Sequence, residues 1–428
     1  MEASSHSKDK VIVIGAGPVG LMTALRLAQV GIRADVIEKE EDLSQQPRAV
    51  GYHGGALIAL KRTAVYEKAK KAGFTGKGIC WRKPLIDDGP NGKKLGDIIA
   101  HLPFAGNEDT IDEQGNPVLY LSQPKLTRLF YEACIETGLV NVFFKRELCD
   151  LHNDLDSVTA IARNAEGGLE SYRGAFLVGA DGGKSATRKL LKIPFKGHSW
   201  PERIVAIDLL MEDKNIDPAF YTSMIIHPIN FGLVTPLEPI KDGQKTLYRC
   251  SIAVDPKDPR TDEELVSDAH VKYILDKFAP GPRPLDVQIL NASPYRTHQV
   301  CASTMRRGRC LLAGDAAHMN NPFGALGLTS GLLDADALAD TLDLIINEGK
   351  PMDLLDVYSD ARRKAFQTFV DPVSTQNKLR CANDPETATE DWFLRSMINP
   401  NPEESEEFNK MFFDVWRTDM RKLISKTA

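Results

Sequence analysis

Residues 11–38, VIVIGAGPVGLMTALRLAQVGIRADVIE, constrain the fold more than any other stretch of the chain. Residues 11–14 are a continuous apolar run of the kind that forms a parallel strand buried on both faces. Gly15, Gly17 and Gly20 follow in GxGxxG spacing, and Leu21, Ala24, Leu25 and Ala28 recur at helical spacing, so a helix begins at that turn. Residues 34–37 make a second strand, which ends on Glu38. Gly15 permits the tight turn, Gly17 lets a pyrophosphate approach the backbone, and Gly20 lets helix and strand pack closely. The helix N-terminus offers unpaired N–H groups to phosphates. Glu38 stands where an acid hydrogen-bonds ribose hydroxyls. A bare GxGxxG says little. With strand, helix, second strand and terminal acid in register, the unit reads as a dinucleotide site in an α/β domain.

A chain of 428 residues has room for two or three domains. Its net charge of -6 supplies no basic footprint for nucleic acid, and no apolar run reaches the length of a membrane span. The seven cysteines are scattered without a CxxC pair, so neither a disulfide framework nor a metal site is expected. Reduced thiols and an N-terminus without a signal-like apolar core make cytoplasmic the expected location.

After Glu38, Arg48 lies in a loop, either reaching toward phosphates or solvated, and a helix begins near Gly54. Residues 80–117, rich in Gly, Pro, Asp and Lys, are an irregular excursion or short strands of a second sheet. Gln123 precedes a helix, where a side chain can face a ligand or cap the helix. Residues 158–163 and 170–173 suit a hairpin turning at Glu166-Gly167-Gly168, and residues 175–178 a further buried strand. That strand runs into Gly179-Ala180-Asp181-Gly182-Gly183 and a helix bearing Arg188, another anion-accepting geometry. From Arg203 to Thr304 strand-like segments dominate. Tyr248, Cys250, Ile252 and Val254 alternate onto one face of a strand, Leu247, Arg249 and Ser251 onto the other. This predicts an antiparallel sheet suited to covering a ligand. A buried strand at 309–313 then leads into Gly314-Asp315, a Pro- and Gly-rich turn and a long amphipathic helix. Beyond Asp371 the polar, Pro-bearing sequence predicts a peripheral helical tail.

Three separated segments, GAGPVG with Glu38, GADGGKSATR, and GDAAHMNNPFGALG, together resemble the GxGxxG, DG and GD motifs of the single-component (group A) flavoprotein aromatic hydroxylases. The segments RIVAIDLLM and HPIN are most similar to the phenol and hydroxyphenylpropionate hydroxylase branch. The resemblance implies a Rossmann-like FAD domain interleaved with an antiparallel-sheet substrate domain. Residues 8–80, 119–200 and 305–371 would form the first, 81–118 and 201–304 the second, and 372–428 the helical tail. It implies FAD held tightly but noncovalently. Gly15, Gly17 and Gly20 would meet the pyrophosphate and Glu38 the ribose. Arg48 would add charge near the phosphates, Gly51 and Gln123 would contact the cofactor, and Asp315 the ribityl chain. Pro322, Gly327 and Leu328 would run past the isoalloxazine, and Asp181 would serve both FAD and the reduced nicotinamide.

By the same resemblance, NADPH or NADH reduces the flavin and O2 adds at its C4a position. The resulting hydroperoxide then hydroxylates a phenolic or other electron-rich ring. A homodimer is the assembly it suggests. Where the family often has Asn-Leu-Ala-Trp-Lys in the GD helix, this chain has Ala337-Leu338-Ala339-Asp340-Thr341. His318 lies at a common family position that shapes the loop and reads as structural. Arg249, Tyr248, His227 and Tyr221, with His53, are the candidates for the substrate side; each is also an ordinary lining or surface residue. Two other activities share these motifs: epoxidation or Baeyer–Villiger insertion on the same fold, and a non-catalytic flavin-binding regulator.

Overall fold

The computed structural model describes residues 10–46, 48–76, 78–103, 118–212, 222–240, 243–404, 407 and 415–425. Its first sheet has the order Val140–Phe143, Arg33–Ile37, Lys10–Ile14, Phe176–Gly179, Cys310–Leu312, Arg306–Arg307. The first five strands run parallel, and Arg306–Arg307 closes the edge as an antiparallel turn-back. Val11, Ile12 and Val13 are fully buried, as a strand covered on both sides requires. The helices Pro18–Gln29, Gln123–Glu136 and Leu326–Ile346 share this core. So does a small antiparallel sheet of Glu147–Asn153, Val158–Arg163 and Leu169–Gly174, through Val158, Ala160 and Ala162. The hairpin of that small sheet is where its glycines put it. Its first strand, ELCDLHN, is too polar to read as a strand from its own composition.

The second sheet has eight strands, in the order His318–Met319, Gln288–Ala302, Phe195–Glu212, Lys245–Val254, Gly232–Pro236, Thr222–Ile225, Gly78–Arg82, Ile98–Pro103. The excursion before residue 118 therefore supplies two strands of this sheet. One of them, Gly78–Arg82, pairs parallel with Thr222–Ile225, so the sheet is mixed rather than wholly antiparallel. The long strands Phe195–Glu212 and Gln288–Ala302 pair along most of their length, and His318–Met319 adds to their end nearer the first sheet. The GD loop is thus physically an extension of the second sheet.

The sheet has two unlike faces. Val205, Ile207, Tyr248, Cys250 and Ile252 pack on Val271, Ile274, Leu275 and Phe278 of the helix Asp268–Phe278. On the other side Ile204, Met224 and Ala253 meet Phe323, which follows the GD turn, and Phe393 and Leu394 from the C-terminal helices.

Two expectations need correction. The helix Leu326–Ile346 is not amphipathic toward water: Asp334, Asp336, Asp340 and Asp343 are all buried with its apolar residues. The acids that make it look two-faced are ion-paired instead. Arg26 and Arg62 hold Asp336 and Asp340, while Arg421 holds Asp343. Asp340 is thus bridged to two other segments at the point where the chain departs from the usual family pattern. The tail is helical, with Asp371–Cys381, Trp392–Ile398 and Met420–Ser425, but it is not peripheral throughout. Trp416 is fully buried in the main core.

Candidate active site

The glycine turn is built as its spacing demands. Gly15 has φ +104°, and a Cβ there would lie 2.6 Å from the Ala180 carbonyl oxygen. A Cβ on Gly20 would fall 2.0 Å from the Gly15 oxygen, so helix and strand touch at that point. A Cβ on Gly17, in contrast, meets nothing within 4 Å. Gly17 caps the helix Pro18–Gln29 without any side-chain hydrogen bond, leaving first-turn N–H groups for an anion. Glu38 locks the turn: one carboxylate oxygen accepts the Ala16 N–H at 2.7 Å, the other the Glu40 N–H at 3.0 Å. Each oxygen keeps a second lone pair, which suits a ribose diol.

The DG segment serves mainly as an internal brace. Asp181 accepts from the Ser185 hydroxyl (2.5 Å) and from both the Thr187 N–H (2.9 Å) and hydroxyl (3.1 Å), bracing the start of the short helix Ala186–Leu190, which Ser185 caps. Arg188 donates to the carbonyls of Gly183 and Ala316, joining this turn to the GD turn. In the GD turn, Gly314 has φ +61° and lies against Val19 of the first helix. Asp315 is exposed and takes no hydrogen bond from any described residue. The protein packed about it pushes its carboxyl above the ordinary range, against the pull of His318 and Arg48.

The loop that follows has Gly324 at φ +107° and Ala325 at φ +55°. Ala325 caps the helix Leu326–Ile346, again with no side-chain bond. Pro322, Gly327 and Leu328 are partly exposed along it. A Cβ on Gly51 would stand 3.9 Å from the Ala325 methyl, so the segment after Arg48 abuts this loop. Gln123, the first residue of its helix, accepts the Ala49 N–H (3.3 Å) and donates its own to the Ala49 carbonyl (3.0 Å). Arg48 itself is exposed. The glycine turn, Arg48, Gly51, Gln123, Asp315 and the loop at 322–328 therefore border one cleft. Open space at Gly17, an unpartnered Asp315 and two uncapped helix starts fit an extended dinucleotide such as FAD.

Sequence reasoning did not foresee what supports that loop. Asp334, fully buried, accepts the Gly314 N–H (2.9 Å), His318 Nε2 (2.7 Å) and Arg362 Nε (2.7 Å). Burial alone would raise its carboxyl, but the His318 and Arg362 charges hold it below the usual range. Arg362 also donates to the Trp416 carbonyl (2.6 Å), and the Trp416 indole N–H donates to Ser330 Oγ (2.8 Å). The Trp416 ring lies 5.3 Å from that of His53, whose Nε2 bonds the Gly324 carbonyl at 3.0 Å. A carbonyl only accepts, so His53 Nε2 carries the proton. The one cue in the sequence was His318, and its structural reading agrees with this placement.

The substrate-side candidates separate. Arg249 is 6 % exposed rather than solvated. It grips Asp208 with two bonds (2.8 and 3.0 Å) and donates to the Arg48 carbonyl (2.6 Å), on the sheet face toward Phe323. Tyr248 lies on the opposite face, buried against the helix Asp268–Phe278. His227 is a turn brace: its Nδ1 accepts the N–H groups of Ile229 (3.0 Å) and Asn230 (2.9 Å). Burial, helped by Lys277, keeps its proton affinity low. Tyr221 lies outside the described residues. A residue the sequence did not single out is Tyr295, on the same sheet face as Ser251 and Arg249. Burial pushes its pKa up to about 12 against the influence of both. Beside them the hydroxyls of Tyr120, Thr222 and Thr235 form a buried chain, each link 2.8 Å.

Residues 8–373 match the family model described as an FAD binding domain. Para-nitrophenol 4-monooxygenase of Pseudomonas sp. (strain WBC-3) is 32% identical over 374 residues, covering 86% of each chain. The 6-hydroxy-3-succinoylpyridine 3-monooxygenase of Pseudomonas putida (strain DSM 28022 / S16) is also 32% identical, over 86% of this chain and 88% of its own. A 3-(3-hydroxy-phenyl)propionate/3-hydroxycinnamic acid hydroxylase of Escherichia coli is 30% identical, and the match spans 62% of its length. Among solved structures, p-nitrophenol 4-monooxygenase from Pseudomonas putida DLL-E4 superposes with a TM-score of 0.76 at 28% identity, over 97% of this chain and 96% of that one. A family model matched over residues 8–373, and relatives of this kind matched over most of the chain, place the chain in the FAD binding domain family, among the FAD-dependent aromatic monooxygenases.

Proposed function

We propose that the protein uses NAD(P)H and O2 to hydroxylate a phenol or similarly electron-rich aromatic compound, with FAD in the cleft between glycine turn and GD loop. The observation that carries the cofactor assignment is the unpartnered Asp315 carboxylate, set in the same cleft as the open flank of Gly17. Gly15, Gly17 and Gly20 shape the pyrophosphate seat, Glu38 holds the ribose, and Asp315 takes hydroxyl donors of the ribityl chain. Gln123 and Arg249 keep the Arg48–Gly51 segment against the cleft from its two sides. Asp181 sets the DG turn rather than offering a free charge. When bound, FAD supplies the hydride acceptor and the oxygen-activating centre.

The ring substrate lies against the face carrying Arg249, Ser251 and Tyr295. All three nitrogens of the Arg249 guanidinium are already engaged, so its charge acts by position and not as a free hook. Tyr295 keeps its proton at neutral pH and offers a donor to a phenolic oxygen. Met224, Phe231 and Phe323 enclose the neighbouring space and keep water out. The test supplies FAD-loaded protein with NADPH or NADH and a panel of phenols that includes 4-nitrophenol, followed by mass spectrometry. We expect a substrate that both accelerates nicotinamide oxidation and returns a product one oxygen heavier. Nicotinamide consumption with no oxygenated product across the panel would refute the reading. A cytoplasmic homodimer is the assembly proposed with it, and sedimentation of the loaded protein checks the dimer.

A further inference from the structure

Asn320 and Asn321 stand side by side after the strand His318–Met319, and their amides are used differently. Asn321 is fully buried and fully engaged. Its N–H and Nδ2 donate to Gln299 Oε1 (3.0 and 3.2 Å), Nδ2 also reaches the Ser374 carbonyl (3.0 Å), and Oδ1 accepts the Phe323 N–H (3.0 Å). It anchors the loop. Asn320 donates Nδ2 to the Asn321 carbonyl at 2.7 Å. That bond fixes which end of the amide is which, because a flipped amide would set oxygen against oxygen. The Oδ1 atom is buried and accepts nothing. It points toward Gly327, where a Cβ would stand 3.5 Å from it and meet nothing else within 4 Å. Gly327 lies in the uncapped first turn of Leu326–Ile346, on the loop that borders the cofactor cleft. A buried acceptor left without a donor is costly and rare in native proteins.

We infer that Asn320 contacts the cofactor, its amide oxygen accepting a hydrogen bond from bound FAD. The inference rests on the reading of this cleft as the FAD site. FAD carries suitable donors in its ring imide N–H and its ribityl hydroxyls.

Two substitutions separate this role from a structural one. Asn320→Leu removes both ends of the amide, whereas Asn320→Asp keeps an acceptor oxygen and loses the donor to Asn321. The positive end of the helix tolerates the added carboxylate. Apoprotein is titrated with FAD and the dissociation constant read from flavin fluorescence, alongside the melting temperature of each FAD-free variant. We expect Leu to weaken binding by roughly three- to tenfold, Asp to stay within about twofold of wild type, and the FAD-free melting temperatures to agree. FAD methylated at the ring imide nitrogen identifies the donor: the Leu effect disappears if the imide is the partner and persists if a hydroxyl is. Wild-type affinity in the Leu variant overturns the inference. So does an Asp variant as weak as Leu, which would make the Asn321 bond the part that matters. A wild-type chain that takes up no FAD would instead bring down the cofactor reading itself.

Discussion

The two ends of the cofactor cleft are built on opposite principles. The glycine-turn end is local: Gly15, Gly17, Gly20 and Glu38 come from one strand–helix–strand unit, and its main bond, Glu38 to Ala16, spans 22 positions. The loop end is assembled from remote pieces. Gly314, His318, Asp334, Arg362, Trp416 and His53 come together there, and the His53 bond to Gly324 spans 271 positions. A local site keeps its shape as long as its own backbone does. A site assembled from afar is only as rigid as the buried charges and rings that hold it. Substitutions at the two ends should therefore fail differently, one losing cofactor and the other losing fold.

The largest effect is expected at Asp334. Asp334→Ala strands the buried Arg362 guanidinium and takes their acceptor from His318 Nε2 and the Gly314 N–H, and breaking such a buried pair costs about 3–5 kcal/mol. Thermal denaturation of the FAD-free protein should show the loss. A melting point close to wild type would mean the loop end is not held by this carboxylate.

Acid should act at the same end. Burial brings the His53 pKa down to about 4 from an ordinary 6.5. The unfolded chain takes up a proton at this imidazole from about pH 6.5 downward, while the folded chain resists it until near 4. The contribution of His53 to stability therefore falls as pH drops through that window, by about 3 kcal/mol, and is complete and constant above it. His53→Gln keeps a donor for the Gly324 carbonyl and removes the titration. Urea unfolding from pH 7 to 4 should show a shallower loss in that variant; parallel curves would contradict the assignment.

At the local end, if Glu38 holds the ribose as proposed, Glu38→Ala removes a charged hydrogen bond worth about 1.5–3 kcal/mol and should weaken FAD roughly ten- to hundredfold. Because Glu38 also accepts the Ala16 and Glu40 N–H groups, the FAD-free melting temperature should fall, but by less than in Asp334→Ala. If instead this variant unfolds while keeping its FAD affinity, the contrast between the two ends is wrong.

The smallest effect tests the strut between sheet and cleft. Arg249→Lys retains charge but cannot grip Asp208 and the Arg48 carbonyl at once. FAD content should hold, while substrate-dependent flavin reduction slows by about two- to tenfold or more hydrogen peroxide appears per NAD(P)H. Stopped-flow reduction and a peroxide assay read both, and unchanged values would leave Arg249 as packing alone.

What the sequence made legible follows the same division. The first sheet, its glycine turn and the GD helix could be read because each is set by neighbours a few residues away. The alternation that puts Tyr248 and Arg249 on opposite faces was also readable, since it depends only on the period of a strand. Which face turns toward the cleft was not. That depends on Phe323 and Phe393 arriving on one side and the helix Asp268–Phe278 on the other. His227 looked available for chemistry because its turn partners are backbone N–H groups, which no side-chain pattern announces. Asp336, Asp340 and Asp343 imitate a solvated stripe, and only the arginines of other segments show otherwise.

Trp416 has a consequence in time as well as in space. It follows Gly324 by roughly ninety residues, so at about 5–20 residues per second the ribosome adds it about 5–20 s after the loop it backs. During that interval the glycine turn can already be complete, while His53 still lacks its indole neighbour and Arg362 the Trp416 carbonyl. If FAD binds as proposed, the nucleotide half of the cleft is thus the first able to recruit a ligand, and the ring half matures only once the tail is made. Cells short of flavin would meet this chain in its most vulnerable form during synthesis, before any enzyme exists to lose its cofactor.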